Sequence, residues 1–233
     1  MHVAKKILIL SLFLSLIACS RTKQNPDPHK QFNREMHDFN MAVDKGALRP
    51  TASVYRGISP PSVRGSISNF LENLKEPFYL VNYLLIADLE YATNSLFRFI
   101  LNSSLGILGL FDVGKHLGLV RKETSYKNTL KTWGMPTGDY IVLPILGPSS
   151  TRDTVMEPIA WFLDPVSYFI GFPWMLGKTV FSMVHGRAEN MELIDSTMAN
   201  SVDFYLTTKS LYEQKYGSAT PAEEEYFDDD TGS

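Results

Sequence analysis

The chain has 233 residues, 22 basic and 25 acidic side chains, 44% hydrophobic residues and a single cysteine. One cysteine excludes an internal disulfide. Six of the acids crowd the C-terminal end (Glu223, Glu224, Glu225, Asp228, Asp229 and Asp230), leaving 20 basic against 19 acidic side chains from Cys19 to Ala222, a balance that excludes a nucleic-acid partner, which needs a strong basic footprint.

Lys5 and Lys6 precede an apolar run of 11 residues, Ile7 to Ile17, broken only by Ser11 and Ser15. A membrane-spanning helix needs ~20 apolar residues, so this run fits the apolar part of a secretory signal. Leu16, Ile17, Ala18 and Cys19 have the pattern of a bacterial lipoprotein signal. In such signals the chain is cut before the cysteine, which carries a diacylglycerol and an acyl chain. Two or more chains anchor stably at a membrane. The expectation is a signal peptide over 1–18, lipidation at Cys19 and a polar tether over 19–28 containing Pro26 and Pro28. Ser20, in place of aspartate, is the look of lipoproteins sorted to the outer membrane.

Phe32, Met36, Phe39 and Val43 recur every three or four residues and predict a helix from His29 to Lys45, with Asp27 as N-cap and Pro28 in its first position. Gly46, Pro50, Gly57, Pro60 and Pro61 predict an extended loop or short broken helices over 46–61. A second helix runs from Val63 to Leu74, closing before Pro77, and a strongly apolar third from Phe78 to Ile86. Asp88 caps a fourth, with Leu89, Ala92, Leu96, Phe99 and Ile100 on one stripe. Residues 101–120 set Gly106, Gly109, Gly114 and Gly118 among apolar residues, a pattern of close backbone packing in membranes or of a loop-rich connector. Ile141 to Leu146 is strand-like but interrupted by Pro144. Gly147–Ser150 and Asp164–Pro165 read as turns.

A last long helix is predicted from Met175 to Met198. Lys178, Ser182, His185 and Glu189 share one face of it, either a solvent face or a polar stripe lining a water-filled interior. With no repeat and no linker after residue 28, residues 29–217 form one mainly α domain. The acidic end, 218–233, reads as a disordered solvated tail. Aromatic residues cluster from Trp133 to Trp174, as in a membrane-interface belt or an aromatic core.

Catalytic patterns do not emerge. The sequence has no G-x-S-x-G elbow, no H-E-x-x-H and no paired cysteines, and His29, His37, His116 and His185 are well separated. No catalytic residue, metal or cofactor is expected beyond the lipid on Cys19.

The stretch "DPHKQFNREMHDFN", residues 27–40, resembles the D-P-x-x-x-F-N-R-x-M-x-x-F-N opening of the VacJ/MlaA family of outer-membrane lipoproteins, through Phe32, Asn33, Arg34, Met36, Phe39 and Asn40. The resemblance continues in "LRP" (48–50), "VRGSISNFLENLKEP" (63–77), "VNYLL" (81–85), "RFILNSSLGILGLFDV" (98–113) and "LPILGPSSTRD" (143–153). It implies a helical ring in the inner leaflet of the outer membrane of a Gram-negative cell, facing the periplasm, with an amphipathic central channel. Its implied work is to remove phospholipids misplaced in the outer leaflet and pass them to a soluble periplasmic lipid-binding protein, beside a trimeric porin. On that reading Lys178, Ser182, His185 and Glu189 are channel-lining candidates, with Lys178 meeting phosphate as a point charge. The family's glycine-rich loop, G-x-G-x-G-P-Y, reads here from Gly134 to Tyr140 with Pro136 in place of a glycine and Asp139 in place of a proline. Gly134, Pro136 and Gly138 are the gating-loop candidates, and Pro136 stiffens the loop. The competing readings are a lipoprotein that only braces porins or the envelope, and an envelope lipid hydrolase or acyltransferase.

Overall fold

The computed structural model describes residues 27–168 and 171–217. The signal segment, Cys19, the tether up to residue 26 and the acidic tail lie outside the described residues.

The chain is mainly helical. Helix α1 (Lys30–Val43) runs through a five-residue π turn (Asp44–Leu48) directly into α2 (Arg49–Ile58). The stretch expected to be a loop or broken helices is therefore largely continuous helix. Pro50 falls in the first turn of α2, where a missing N–H is tolerated, and the Arg49 N–H reaches back five residues to the Asp44 carbonyl. Asp27 does not cap α1, whose start has no side-chain cap. Its carboxylate instead accepts from Asn33 Nδ2 at 3.1 Å and from the Tyr205 hydroxyl, with Lys209 Nζ at 3.4 Å.

Helix α3 spans Pro61–Asn73 and α4 spans Glu76–Leu85, with Pro77 inside the first turn of α4. Helix α5 (Leu89–Ser104) begins as expected, the Asp88 carboxylate accepting the Tyr91 N–H at 3.2 Å. Residues 105–112 are turns leading to the short α6 (Val113–His116), so the glycine-rich stretch is a connector rather than a packed helix. Its glycines still serve close approach. Gly109 has φ +94°, and a Cβ there would stand 2.5 Å from Asn73 Cβ.

Helix α7 (Tyr126–Thr132) precedes a hairpin of β1 (Tyr140–Leu143) and β2 (Gly147–Ser150), antiparallel with Tyr140 opposite Ser150 and Leu143 opposite Gly147. Pro144 ends β1, as its missing donor requires. Ser150 caps α8 (Thr151–Leu163), and Pro165–Tyr168 is a single 3₁₀ turn. The predicted final helix is two, α9 (Phe172–Glu189) and α10 (Met191–Asn200). The break is at Asn190, whose side-chain amide donates to the Gly186 carbonyl at 2.9 Å. Helix α11 (Phe204–Tyr216) follows, capped by Asp203.

Helix α4 lies on α5, α9 on α2, and the hairpin sits between α1 and α11. The two ends of the described chain thus meet over the hairpin. A cluster of Tyr140, Val142, Tyr205 and Tyr212, with Met36 and Tyr216 against it, fills that junction.

Burial runs opposite to that of an ordinary water-soluble fold. Among the described residues, buried polar and charged side chains outnumber buried apolar ones, and the fully buried large side chains include Arg98, Arg152 and Glu76. Lys, Glu, Arg and Asp are almost never so buried unless paired. Most of the apolar stripe of α5 is not its buried face. Leu89, Leu96 and Ile100 are exposed and Phe99 is half-buried; of the stripe only Ala92 is buried, beside Ser95, Arg98 and Asn102.

Candidate functional site

The inverted pattern is sharpest around α4, α5 and α6. Arg98 is 1% exposed and donates from all three guanidinium nitrogens. Its Nε donates to Glu76 Oε1 at 2.8 Å, its Nη2 to both Asp112 oxygens at 2.8 and 2.9 Å, and its Nη1 to the Leu119 carbonyl. Asn102 adds an amide to Asp112 at 3.2 Å and accepts the Gly114 N–H at 2.8 Å. Arg121 Nε reaches Glu76 at 3.3 Å. Burial is the largest single influence on Asp112 and raises its pKa, but the hydrogen bonds from Arg98 and the Lys115 N–H, with the charges of Arg98 and Arg121, together outweigh it and hold the carboxyl below its usual range. Two carboxylates facing two guanidiniums make a neutral buried cluster.

This cluster supports a surface that water does not favour. Leu105, Ile107, Leu108, Phe111, Leu117 and Val120 are all exposed along the connector, Leu108 at 69% and Val120 at 73%. Ile107 and Leu108 hold φ of 52° and 57°, a left-handed conformation uncommon for non-glycine residues. A contiguous exposed apolar patch of this kind marks a protein or membrane contact. Among the described residues, no helix is long and apolar enough to cross a membrane.

The family-motif residues divide by face. Asn33, fully buried, donates Nδ2 to the Tyr140 carbonyl and accepts the Val142 N–H, both at 2.9 Å. Seven residues on, Asn40 repeats the device, donating to the Leu143 carbonyl at 2.9 Å and accepting the Ile145 N–H at 2.6 Å. Two asparagines on one helix face thus stand in for the strand that the outer edge of β1 lacks. Asn40 also holds Ile145, whose φ is 66°, with Ile145 and Leu146 exposed at the hairpin tip. Arg34 pairs with Asp203 at 2.6 Å and lies over the Tyr205 ring. Phe32 and Phe39 point outward and are exposed.

The stripe on α9 is not one continuous open wall. Lys178 and Ser182 are partly exposed. His185 is 5% exposed and clamped between helices, its Nδ1 2.9 Å from the Tyr55 hydroxyl and its Nε2 2.8 Å from Ser68 Oγ. Burial pushes the His185 pKa below its ordinary value, with Glu189 opposing and Arg64 reinforcing the shift. Ser68 and His185 stand at the contact distance of a nucleophile and its base, but the second ring nitrogen faces a tyrosine hydroxyl rather than a carboxylate. The arrangement ties α2, α3 and α9 together. Glu189 pairs with Arg64 at 2.5 Å. Beside it Arg187 bridges Asp44 and Asp195 at 2.8 and 2.6 Å, and Arg49 also meets Asp195 at 2.8 Å. Hydrogen bonds from Arg49 and Arg187 hold the Asp195 carboxyl down at about 2.

The gating-loop candidates lie before β1. Gly134 and Gly138 have φ of 72° and 75°, and Pro136 is exposed. The loop is tied to the start of α8 by three carbonyls. Met135 accepts from Arg152 Nη1 at 2.8 Å, Thr137 from the Arg152 N–H at 3.2 Å, and Asp139 from the Thr151 N–H at 2.9 Å. These ties, and the Arg98 cluster, join residues far apart in sequence, and only the charge content of the apolar segments hinted at them.

Residues 25–218 match the family model described as MlaA lipoprotein. An uncharacterized protein of Rickettsia bellii is 34% identical over 190 residues, covering 81% of this chain and 74% of its own length. The intermembrane phospholipid transport system lipoprotein MlaA of Escherichia coli K12 is 32% identical over 194 residues, covering 82% of this chain and 76% of its own. A solved structure described as the structural basis for maintenance of bacterial outer membrane lipid asymmetry has a TM-score of 0.74 at 34% identity, covering 82% of this chain and 98% of that one. The matched span takes in the asparagine clamp, the buried charge cluster and the α9 contacts alike, and the chain belongs to the MlaA lipoprotein family.

Proposed function

We propose that this chain is an outer-membrane lipoprotein of intermembrane phospholipid transport. On this reading it is held by lipid on Cys19 at the periplasmic side of the outer membrane. It takes phospholipids misplaced in the outer leaflet and passes them to a soluble periplasmic lipid-binding protein, working beside a trimeric porin. The helices form a ring around an amphipathic channel, and lipid moves through it without any bond being made or broken. The names borne by relatives in this family support the assignment.

The observation that carries it is the inverted burial. Helices with apolar side chains outward and charges inward suit the acyl region of a leaflet, where each exposed apolar group is at home and each buried charge must be paired. A phospholipid needs a polar path for its head and an apolar one for its tails, and a body built this way offers both. Within α9, Lys178 and Ser182 are the part of the polar stripe left free to line such a path. His185 and Glu189 are engaged in holding helices.

The test is surface-exposed phospholipid in intact cells, counted as products of an external phospholipase. Deleting the protein should raise it, and the wild type but not Cys19→Ala should restore it. An unchanged surface in the deletion strain would remove the transport reading and favour a bracing role.

A further inference from the structure

We propose that the cleft between α3 and residues 110–121 binds the phosphodiester of a phospholipid headgroup, a site that rests on the transport reading above and does not involve Lys178. The cleft has a volume of about 700 Å³, within the roughly 300–1,000 Å³ range of small-molecule sites. One wall is a polar face of α3. Ser62, Ser66 and Asn69 recur at four and three residues and so stand in one row. The opposite wall carries Lys115, His116 and Arg121.

The charges here do not cancel. Glu76 and Asp112 balance Arg98 and Arg121 in the buried cluster. Lys115 is left over, exposed and without an ion pair among the described residues, with His116 beside it. Arg121 is also incompletely satisfied. Its Nη2 is buried without a hydrogen-bond partner, and the nearest carboxylate oxygen, of Asp112, is 3.6 Å away. A buried donor with no acceptor costs free energy that an entering anion would recover. The hydroxyls of Ser62 and Ser66 with the Lys115 ammonium and the Arg121 guanidinium form a donor set for phosphate oxygens, while the Asn69 amide already reaches the Leu110 carbonyl at 3.4 Å. The rim decides which phosphate. Phe111 and Val120, both exposed, line the same cleft. A lining that joins polar and cationic side chains to exposed apolar ones fits an amphiphile with acyl chains rather than a free anion.

The experiment uses the purified full chain in detergent and measures binding of dihexanoyl phosphatidylglycerol and dihexanoyl phosphatidylethanolamine below their micelle concentrations, with inorganic phosphate as a separate arm. Lys115→Glu, and Ser66→Asp on the opposite wall, should each weaken phospholipid binding at least tenfold with the helical circular dichroism unchanged. Lys131→Glu, outside the cleft, should bind as the wild type does. Wild-type affinity in both cleft variants would overturn the site. Inorganic phosphate bound as tightly as the lipids, and lost in the same variants, would overturn the headgroup assignment in favour of free phosphate. The same variants in the deletion strain separate this inference from the reading beneath it. If Lys115→Glu binds lipid normally and still clears surface phospholipid, the cleft falls and transport stands. If the wild type itself clears none, the transport reading falls and the cleft with it.

Discussion

Two regions of the molecule bury polar groups by different means. Where α4 and α5 meet residues 112–121, an ionic cluster sets Arg98 and Arg121 against Glu76 and Asp112 beneath an exposed apolar connector. At the hairpin end the interior is aromatic and amide-rich, with Tyr140, Tyr205 and Tyr212 packed together and Asn33 and Asn40 closing the edge of β1. The first region must hold a loop whose side chains face away from the protein, and the directed bonds of Arg98, Asn102 and Asp112 fix that loop, while a separate aromatic cluster of Tyr79, Tyr83 and Ala92 joins α4 to α5. The second must join the two ends of the chain, where aromatic area is available, amide bonds close the edge of β1, and the hydroxyls of Tyr205 and Tyr212 donate to the buried carboxylates of Asp27 and Asp153, which Lys209 and Arg152 neutralise. Each solution has its own weakness. A buried ion pair fails as a unit when one partner goes, whereas an amide clamp fails one hydrogen bond at a time.

Arg98→Leu should break the contrast hardest. It leaves two buried carboxylates to share the single guanidinium of Arg121 and should cost about 3–5 kcal/mol in urea unfolding of the detergent-solubilised protein. A loss below about 1 kcal/mol would show that the cluster is not what holds the connector. Asn33→Ala comes next, at about 1–3 kcal/mol for each stranded backbone group, read also as faster amide exchange at Val142. Asn40→Ala should cost less, because Ile145 at the exposed tip can turn to water instead.

A smaller effect tests the α9 junction, which shares features of both regions. Burial holds His185 below the ordinary histidine value of about 6.5. As pH falls, the unfolded chain therefore takes up its proton first, so stability is full above about pH 6.5 and declines as pH drops toward the folded-state value. The urea midpoint of the wild type should fall between pH 7.5 and 5.5 by more than that of His185→Gln, and equal slopes would remove His185 from the account. The smallest change in stability should come from Leu108→Ser, within about 0.5 kcal/mol in detergent, while its association with phospholipid vesicles weakens. Unchanged association would mean that the connector does not enter the membrane.

Much of the local structure was legible. The Asp88 cap and the stop of β1 at Pro144 both follow from residues within a few positions of the event, because caps and missing donors act locally. Other local signals misled. Asp27 looked like a cap for α1 but serves Asn33 and Tyr205, since a carboxylate goes to whichever donors the fold brings it. The expected single helix from Met175 to Met198 is broken at Asn190, whose backbone N–H and side-chain amide both go to the Gly186 carbonyl. The candidate stripe of Lys178, Ser182, His185 and Glu189 was correct as a face of one helix, yet its members divide between open surface and helix contacts.

By itself the sequence determined the helical periods, the family motif and the near-neutral body, because these depend on spacing and composition alone. Which face of α5 points inward was decided only by the tertiary structure. Periodicity places side chains around a helix axis but carries no information about the medium on either side, and the choice belonged to Arg98, Glu76 and Asp112, which bury their charges only because folding brings all three together.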